Sequence, residues 1–201
     1  MVKLTELFGV VSLIAIPLTT LSGITVAAVA LLAASDPQES KAAFQGQSVT
    51  RSATIHLHGP IAKVFPLFEP IGEKAWAPGW EPRVVYPASG AAQNGTVFLT
   101  FNDEGKNETY WTIIEYDAQR HRISYINVIP NYQVRRITVD CREVASDKTD
   151  ATVSYSYTGT TAPGNDDVTK QTEESYAAKM QHWTHAINHY LETGKQIEMS
   201  H

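Results

Sequence analysis

The stretch TEESYAAKMQHWTHAINHYL, residues 172–191, decides the fold. Tyr176, Met180, Trp183, Ile187 and Tyr190 recur at alternating spacings of four and three, which places them on one face of an α-helix. Gly194 supplies a stop signal just past its end. A single long helix with such a stripe has to bury it against something, and the preceding residues offer only a sheet.

Six segments upstream alternate apolar and polar residues: 82–86, 96–101, 109–116, 122–129, 134–144 and 151–158. Their separators, SGAAQNG, NDEGKN, DAQRH, PNY and SDKTD, are short and rich in Gly, Asn and Asp, so neighbouring strands run antiparallel. Val153, Tyr155 and Tyr157 share one face opposite Ser154, Ser156 and Thr158. Ile137, Val139 and Cys141 likewise oppose Arg136, Thr138 and Asp140. Such alternation means one covered face and one wet face.

Ahead of these strands, RSATIHLHG (51–59) alternates Ala53, Ile55 and Leu57 with Thr54, His56 and His58, which is a half-buried strand. Gly59-Pro60 turns the chain into a helix whose apolar face is Ile61, Val64, Phe65 and Phe68, and which Pro66 limits to about two turns. A second short helix is expected over Ile71–Trp76, stopped by Ala77-Pro78-Gly79. The resulting order, β-αα-β6-α, is an α+β fold. A curved antiparallel sheet of about seven strands wraps around the long C-terminal helix.

The N-terminal residues are a different polymer. Leu7 to Ala34 carries no charge, and 18 of the 19 aromatics of the chain lie after residue 35. Twenty-eight uncharged residues exceed the ~20 that span a bilayer as a helix. Small residues at 28–30 and 33–35 also fit signal-peptide cleavage. Residues 1–35 are therefore expected to form one hydrophobic helix, a cleaved signal or a retained anchor, with length favouring the anchor. This puts the folded part on the exported side, tethered to the membrane where the segment is uncleaved; Lys3 against Lys41 supports that orientation only slightly. Residues 36–50 read as a linker, 51–193 as the domain and 194–201 as a tail.

Composition narrows the function. A net charge of −5 and a pI near 5.8 argue against nucleic-acid binding, which depends on clustered Lys and Arg. The lone cysteine, Cys141, forms no internal disulfide, and its place on an inward strand face makes it an inert thiol. GxSxG, Walker-type, GxGxxG and CxxC motifs are all missing, so no cofactor is indicated.

Three stretches carry a family resemblance: GPIAKVFPLFEPIGEKAWAPGWEP (59–82), YWTIIEYDAQRHRISYINVIP (110–130) and MQHWTHAINHYL (180–191). Over about residues 51–193 the chain resembles the START-like helix-grip (SRPBCC) superfamily, in its bacterial polyketide cyclase/dehydrase-like branch. The resemblance implies a hydrophobic cavity between sheet and helix that holds a lipid, sterol, hormone or polyketide. It implies no single reaction, since only some members catalyse.

Such a cavity needs apolar walls and a few orienting polar groups. Trp76 and Trp80 flank the Ala-Pro-Gly turn at its expected mouth; Trp183 comes from the helix, and Phe98, Tyr125, Tyr155 and Tyr157 come from the strands. Buried tyrosine hydroxyls call for partners, which a ligand carbonyl or hydroxyl would supply. Glu73 lies three residues before Trp76 and shares its helical face; inside a cavity, desolvation would make it a general acid or base. Its competing reading is a solvated charge beside Lys74, and Glu69 has a weaker case still.

His182, His185 and His189 fall within about 60° of one another on a helical wheel. They lie away from the apolar stripe, beside Gln181 and Asn188, so they are assigned to the wet face and not to a metal site. His56 and His58 point outward on the first strand. Three functions are therefore weighed. The first is a module that binds a small hydrophobic molecule (lipid, sterol-like, aromatic or polyketide-like). The second is a cyclase, dehydratase or hydrolase acting in the same cavity, and the third is a structural envelope protein with a filled core.

Overall fold

The computed structural model describes residues 43–102 and 107–198. The elements run β1 (Ser48–Leu57), α1 (Ile61–Val64), two 3-10 turns (Phe65–Phe68 and Gly72–Ala75), β2 (Arg83–Tyr86), β3 (Val97–Asn102), β4 (Asn107–Asp117), β5 (Arg122–Ile129), β6 (Gln133–Ala145) and β7 (Lys148–Gly159). Two helices close the domain, α2 (Ala162–Thr169) and α3 (Glu173–Thr193). All seven strands form one antiparallel sheet in the order β1-β7-β6-β5-β4-β3-β2.

The period-two pattern sorts β7 and the first part of β6 as the sequence predicts. Val153, Tyr155 and Tyr157 of β7 are buried with Ile137, Val139 and Cys141 of β6. On the opposite face, hydroxyls pair across β1 and β7: Thr50 with Ser156 at 2.8 Å, Ser52 with Ser154 at 2.7 Å and Thr54 with Thr152 at 2.9 Å. This polar ladder keeps the outer face wet while the inner face carries the core.

Helix α3 lies on the inner face. Its Tyr176, Met180 and Ile187 are buried, and the Tyr176 hydroxyl donates to the Val153 carbonyl at 2.8 Å. Thr172 caps its start by accepting from the Ser175 N–H, and Gly194 ends it at φ 70°, a conformation glycine adopts without steric cost.

Four elements differ from expectation. The first two-turn helix is a single α turn, because Pro66 lacks an N–H and converts Phe65–Phe68 to a 3-10 turn. The helix expected at Ile71–Trp76 is also a 3-10 turn, over Gly72–Ala75. Strand β1 begins at Ser48, inside the segment read as linker, since its backbone pairs with Thr158 of β7 even where its side chains are exposed. Helix α2 is additional. Its signal is Thr161 followed by Pro163: the Thr161 hydroxyl accepts from the Gly164 N–H, and proline suits a first turn.

The expected hydrophobic helix of residues 1–35, and residues 36–42 of the expected linker, lie outside the described residues. Among the described residues no helix is long and apolar enough to cross a membrane.

Candidate ligand cavity

Two side-chain hydrogen bonds fold the segment 67–80 on itself and a third ties it to the sheet. The Trp76 indole donates to the Leu67 carbonyl at 2.8 Å, the Trp80 indole to Pro70 at 2.8 Å, and the Tyr125 hydroxyl to Phe68 at 2.6 Å. Gly72 makes this close fold-back feasible, since a Cβ there would stand 1.8 Å from the Pro66 carbonyl oxygen. The next residue, Glu73, is thereby carried over the inner face of the sheet.

Beneath it lies a cavity of about 220 Å³ between the 3-10 connector, the sheet and α3. Its walls include Glu73, Trp76, Trp80, Phe98, Tyr125, Tyr155 and Trp183, all singled out from the sequence. Tyr157 is not among them: it is buried one step along β7, stacked on Tyr155 with ring centres 5.4 Å apart, and its hydroxyl accepts from Lys179 at 2.7 Å. Sharing a strand face with Tyr155 is not enough to reach the cavity, because α3 covers that end.

Two lining residues were not expected. Trp111 pairs with Phe98 across β3 and β4, stacks on it at 5.4 Å, and meets Trp80 and Tyr125 edge-on. Its alternation with Thr109 and Ile113 on β4 was the available signal. His182 is exposed, in keeping with its place on the wet face, and it also borders the cavity at its open rim. The wheel centred on large apolar residues missed the contribution of Ala186, a small buried residue that widens the contact arc of α3 towards His182.

His185 and His189 stay on the outside, in an open groove with His58, Asn188 and Glu192. His56 is exposed and paired with Asp150 at 2.6 Å. Glu69 is taken up by the Tyr116 hydroxyl at 2.6 Å. Burial pushes the Cys141 thiol up to about 12, in keeping with an inert core residue.

Glu73 is the unusual group. Among the described residues none donates a hydrogen bond to its carboxyl, and desolvation pushes its pKa up to about 8. The side chain keeps some accessible surface because the cavity reaches it, yet protein surrounds it and the loss of bulk water dominates. Tyr125 and Tyr155 are held well above their ordinary range, first by burial and then by the nearby Glu73 charge. At neutral pH the cavity thus holds a protonated carboxyl and two neutral phenols, and among the described residues no Lys or Arg lines it.

A one-faced antiparallel sheet, one long helix gripped by it and an aromatic-walled cavity between them make a helix-grip fold. Solved structures bear this out. Norcoclaurine synthase from Thalictrum flavum, in complex with dopamine and hydroxybenzaldehyde, superposes with a TM-score of 0.53 at 12% identity, covering 75% of this chain and 90% of that one. The ZhuI aromatase/cyclase from Streptomyces sp. R1128 gives a TM-score of 0.53 at 10% identity, covering 76% of this chain and 100% of that one. No protein-family model matches the sequence, and no curated protein matches it either.

Proposed function

We propose that the domain binds a small, compact, largely aromatic molecule in the cavity between sheet and helix α3. The observation that carries this reading is Glu73, a carboxyl without a protein partner among the described residues, set in a wall of aromatic rings. A core built only for stability gains nothing from such a group, since an unpaired buried polar group costs about 1–3 kcal/mol. The volume of about 220 Å³ is smaller than the ~300–1,000 Å³ of sites for drug-sized ligands. It favours one or two rings over a sterol, an extended polyketide or a diacyl lipid, and it weighs against a filled core. Native mass spectrometry of the protein, together with tryptophan fluorescence titration by small aromatic compounds, tests the reading. A co-purifying or titrating ligand of that size is expected; saturation only by long-chain lipids would overturn it.

A second reading, catalysis on such a ligand, draws on the same carboxyl. A group with a pKa near the working pH both gives and takes a proton, and here it faces the space a ligand would fill. That dopamine and hydroxybenzaldehyde occupy a norcoclaurine synthase of this fold is consistent with small aromatic ligands, though the likeness is one of fold. A Glu73→Gln variant that binds normally but loses turnover would place catalysis ahead of binding.

We also propose that residues 1–35 direct the domain to the exported side of a membrane, as a cleaved signal or retained anchor. The mass of the mature protein distinguishes the two.

A further inference from the structure

The cavity walls have a chemistry that goes beyond size, and it bears on the kind of ligand, given the reading of this cavity as a ligand site. All four tryptophans of the chain line it. Their rings and those of neighbouring tyrosines meet at steep angles: Trp80 and Trp111 at 83°, Tyr125 and Trp111 at 90°, Trp76 and Trp183 at 65°, Tyr155 and Trp183 at 75°. Crossed rings wall a box with π surface on several sides.

The hydrogen-bond donors of these rings mostly point elsewhere. The indoles of Trp76 and Trp80 donate to the backbone of Leu67 and Pro70, and that of Trp111 donates to the Thr100 hydroxyl at 3.0 Å. The Tyr125 hydroxyl is spent on Phe68. Side chains with polar capacity left over are Glu73, the Tyr155 hydroxyl, the Trp183 N–H and His182 at the rim. A box of this kind is poor in donors and positive charge and rich in ring faces, with one free carboxyl. A ligand anion would find no counter-charge in it.

We infer that the cavity takes a small organic cation, a quaternary or alkylated ammonium with a compact aromatic or short alkyl body, enclosed by the aromatic rings and neutralised by Glu73. Ring quadrupoles attract a cation at their faces, and the attraction grows when water is excluded. A lone carboxyl within such a wall is the complementary charge. Without a cation it is costly to ionise; with one, ionisation is restored by the ion pair.

Binding therefore releases a proton from Glu73 at neutral pH. The titratable groups facing it are Tyr125 of β5 and Tyr155 of β7, both neutral throughout this range, and His182 of α3. On its own element, Lys74 is paired with Glu81 at 2.7 Å.

The test uses the full-length protein and two isosteric probes, phenyltrimethylammonium and neutral tert-butylbenzene, followed by tryptophan fluorescence and calorimetry. The cation has no proton to lose, so any pH dependence belongs to the protein. At pH 8.5 it is expected to bind roughly tenfold or more tighter than its neutral isostere. Its Kd should weaken by about tenfold for each pH unit below about 8, with proton release visible in buffers of different ionisation enthalpy. Glu73→Gln, checked for native near-UV circular dichroism, should remove the preference for the cation and the pH dependence while still binding tert-butylbenzene. His182→Gln should leave the pH midpoint in place; a midpoint that moves with His182 overturns the role of Glu73. Equal binding of the two probes by the wild-type protein overturns the cation inference alone, and binding of neither overturns the ligand-cavity reading with it.

Discussion

The Lys179 ammonium lies 3.6 Å from the centre of the Tyr155 ring and donates to the Tyr157 hydroxyl at 2.7 Å. The same charge stands 4.9 Å from the ring centre of Tyr176, so three tyrosines gather around one lysine of α3. Ring contacts and the hydrogen bond favour the charged form, while desolvation opposes it. Desolvation prevails, helped by Arg135, and the pKa falls to about 8. Lys179 thus braces Tyr155, a wall of the cavity, from outside the lining.

Above pH 8 this lysine is neutral in the folded protein yet still charged when unfolded, up to its ordinary value of 10.5. The unfolded state then binds more protons, so stability rises with pH across that window. Thermal melts from pH 8 to 10.5 should show the rise in the wild type and not in Lys179→Met. At pH 7 the two should differ by less than about 1.5 kcal/mol, because lost bonding and relieved desolvation offset each other.

Glu73 produces the opposite slope at lower pH. Its pKa rises from 4.5 to about 8 on folding, so between those values the folded state holds a proton that the unfolded state has released. Stability from this group falls as pH increases through that window, and is unaffected below 4.5. Glu73→Gln should flatten the descent between pH 5 and 8 in chemical denaturation. A descent unchanged in the variant would mean that Glu73 is not desolvated.

Gly72→Ala should disturb both fold and site. The added methyl would meet the Pro66 carbonyl oxygen at 1.8 Å, backbone that has no room to yield. Overpacking of this kind costs about 1–3 kcal/mol, and the strain falls on the residue before Glu73. Urea denaturation should report the loss of stability, and fluorescence titration a weakened affinity for any ligand that reaches Glu73.

Asn127 stands on the inner face of β5, fully buried, between Trp111 and Arg135 in the cross-strand row, and among the described residues neither its amide nitrogen nor its oxygen has a hydrogen-bond partner. An unpaired buried amide costs about 1–3 kcal/mol, so Asn127→Leu should stabilise the domain by about 1 kcal/mol in a thermal melt. A fall in Tm would show that the amide is satisfied by a bound molecule.

The sheet and long helix were legible because their signals are local. Period-two alternation in 151–158 and the 4-3-4-3 stripe of α3 follow from which side of a backbone each Cβ leaves. The short helices were overestimated for the same reason: Ile61, Val64, Phe65 and Phe68 share a helical face, but Pro66 sets the hydrogen bonding. Helix α2 went unread because its signal is a cap with a proline, not an apolar stripe.

Of the site, the sequence by itself determined which residues would face inward from each strand and helix, among them Trp76, Phe98, Tyr125, Tyr155 and Trp183. Only the tertiary structure decided that Tyr157 is sealed from the cavity, that Trp111 and His182 border it, and that Glu73 faces it. Facing inward is a property of one residue and its backbone. Bordering a cavity depends on how far three separate segments, 67–80, the sheet and α3, stand from one another, and no periodicity along the chain encodes that distance.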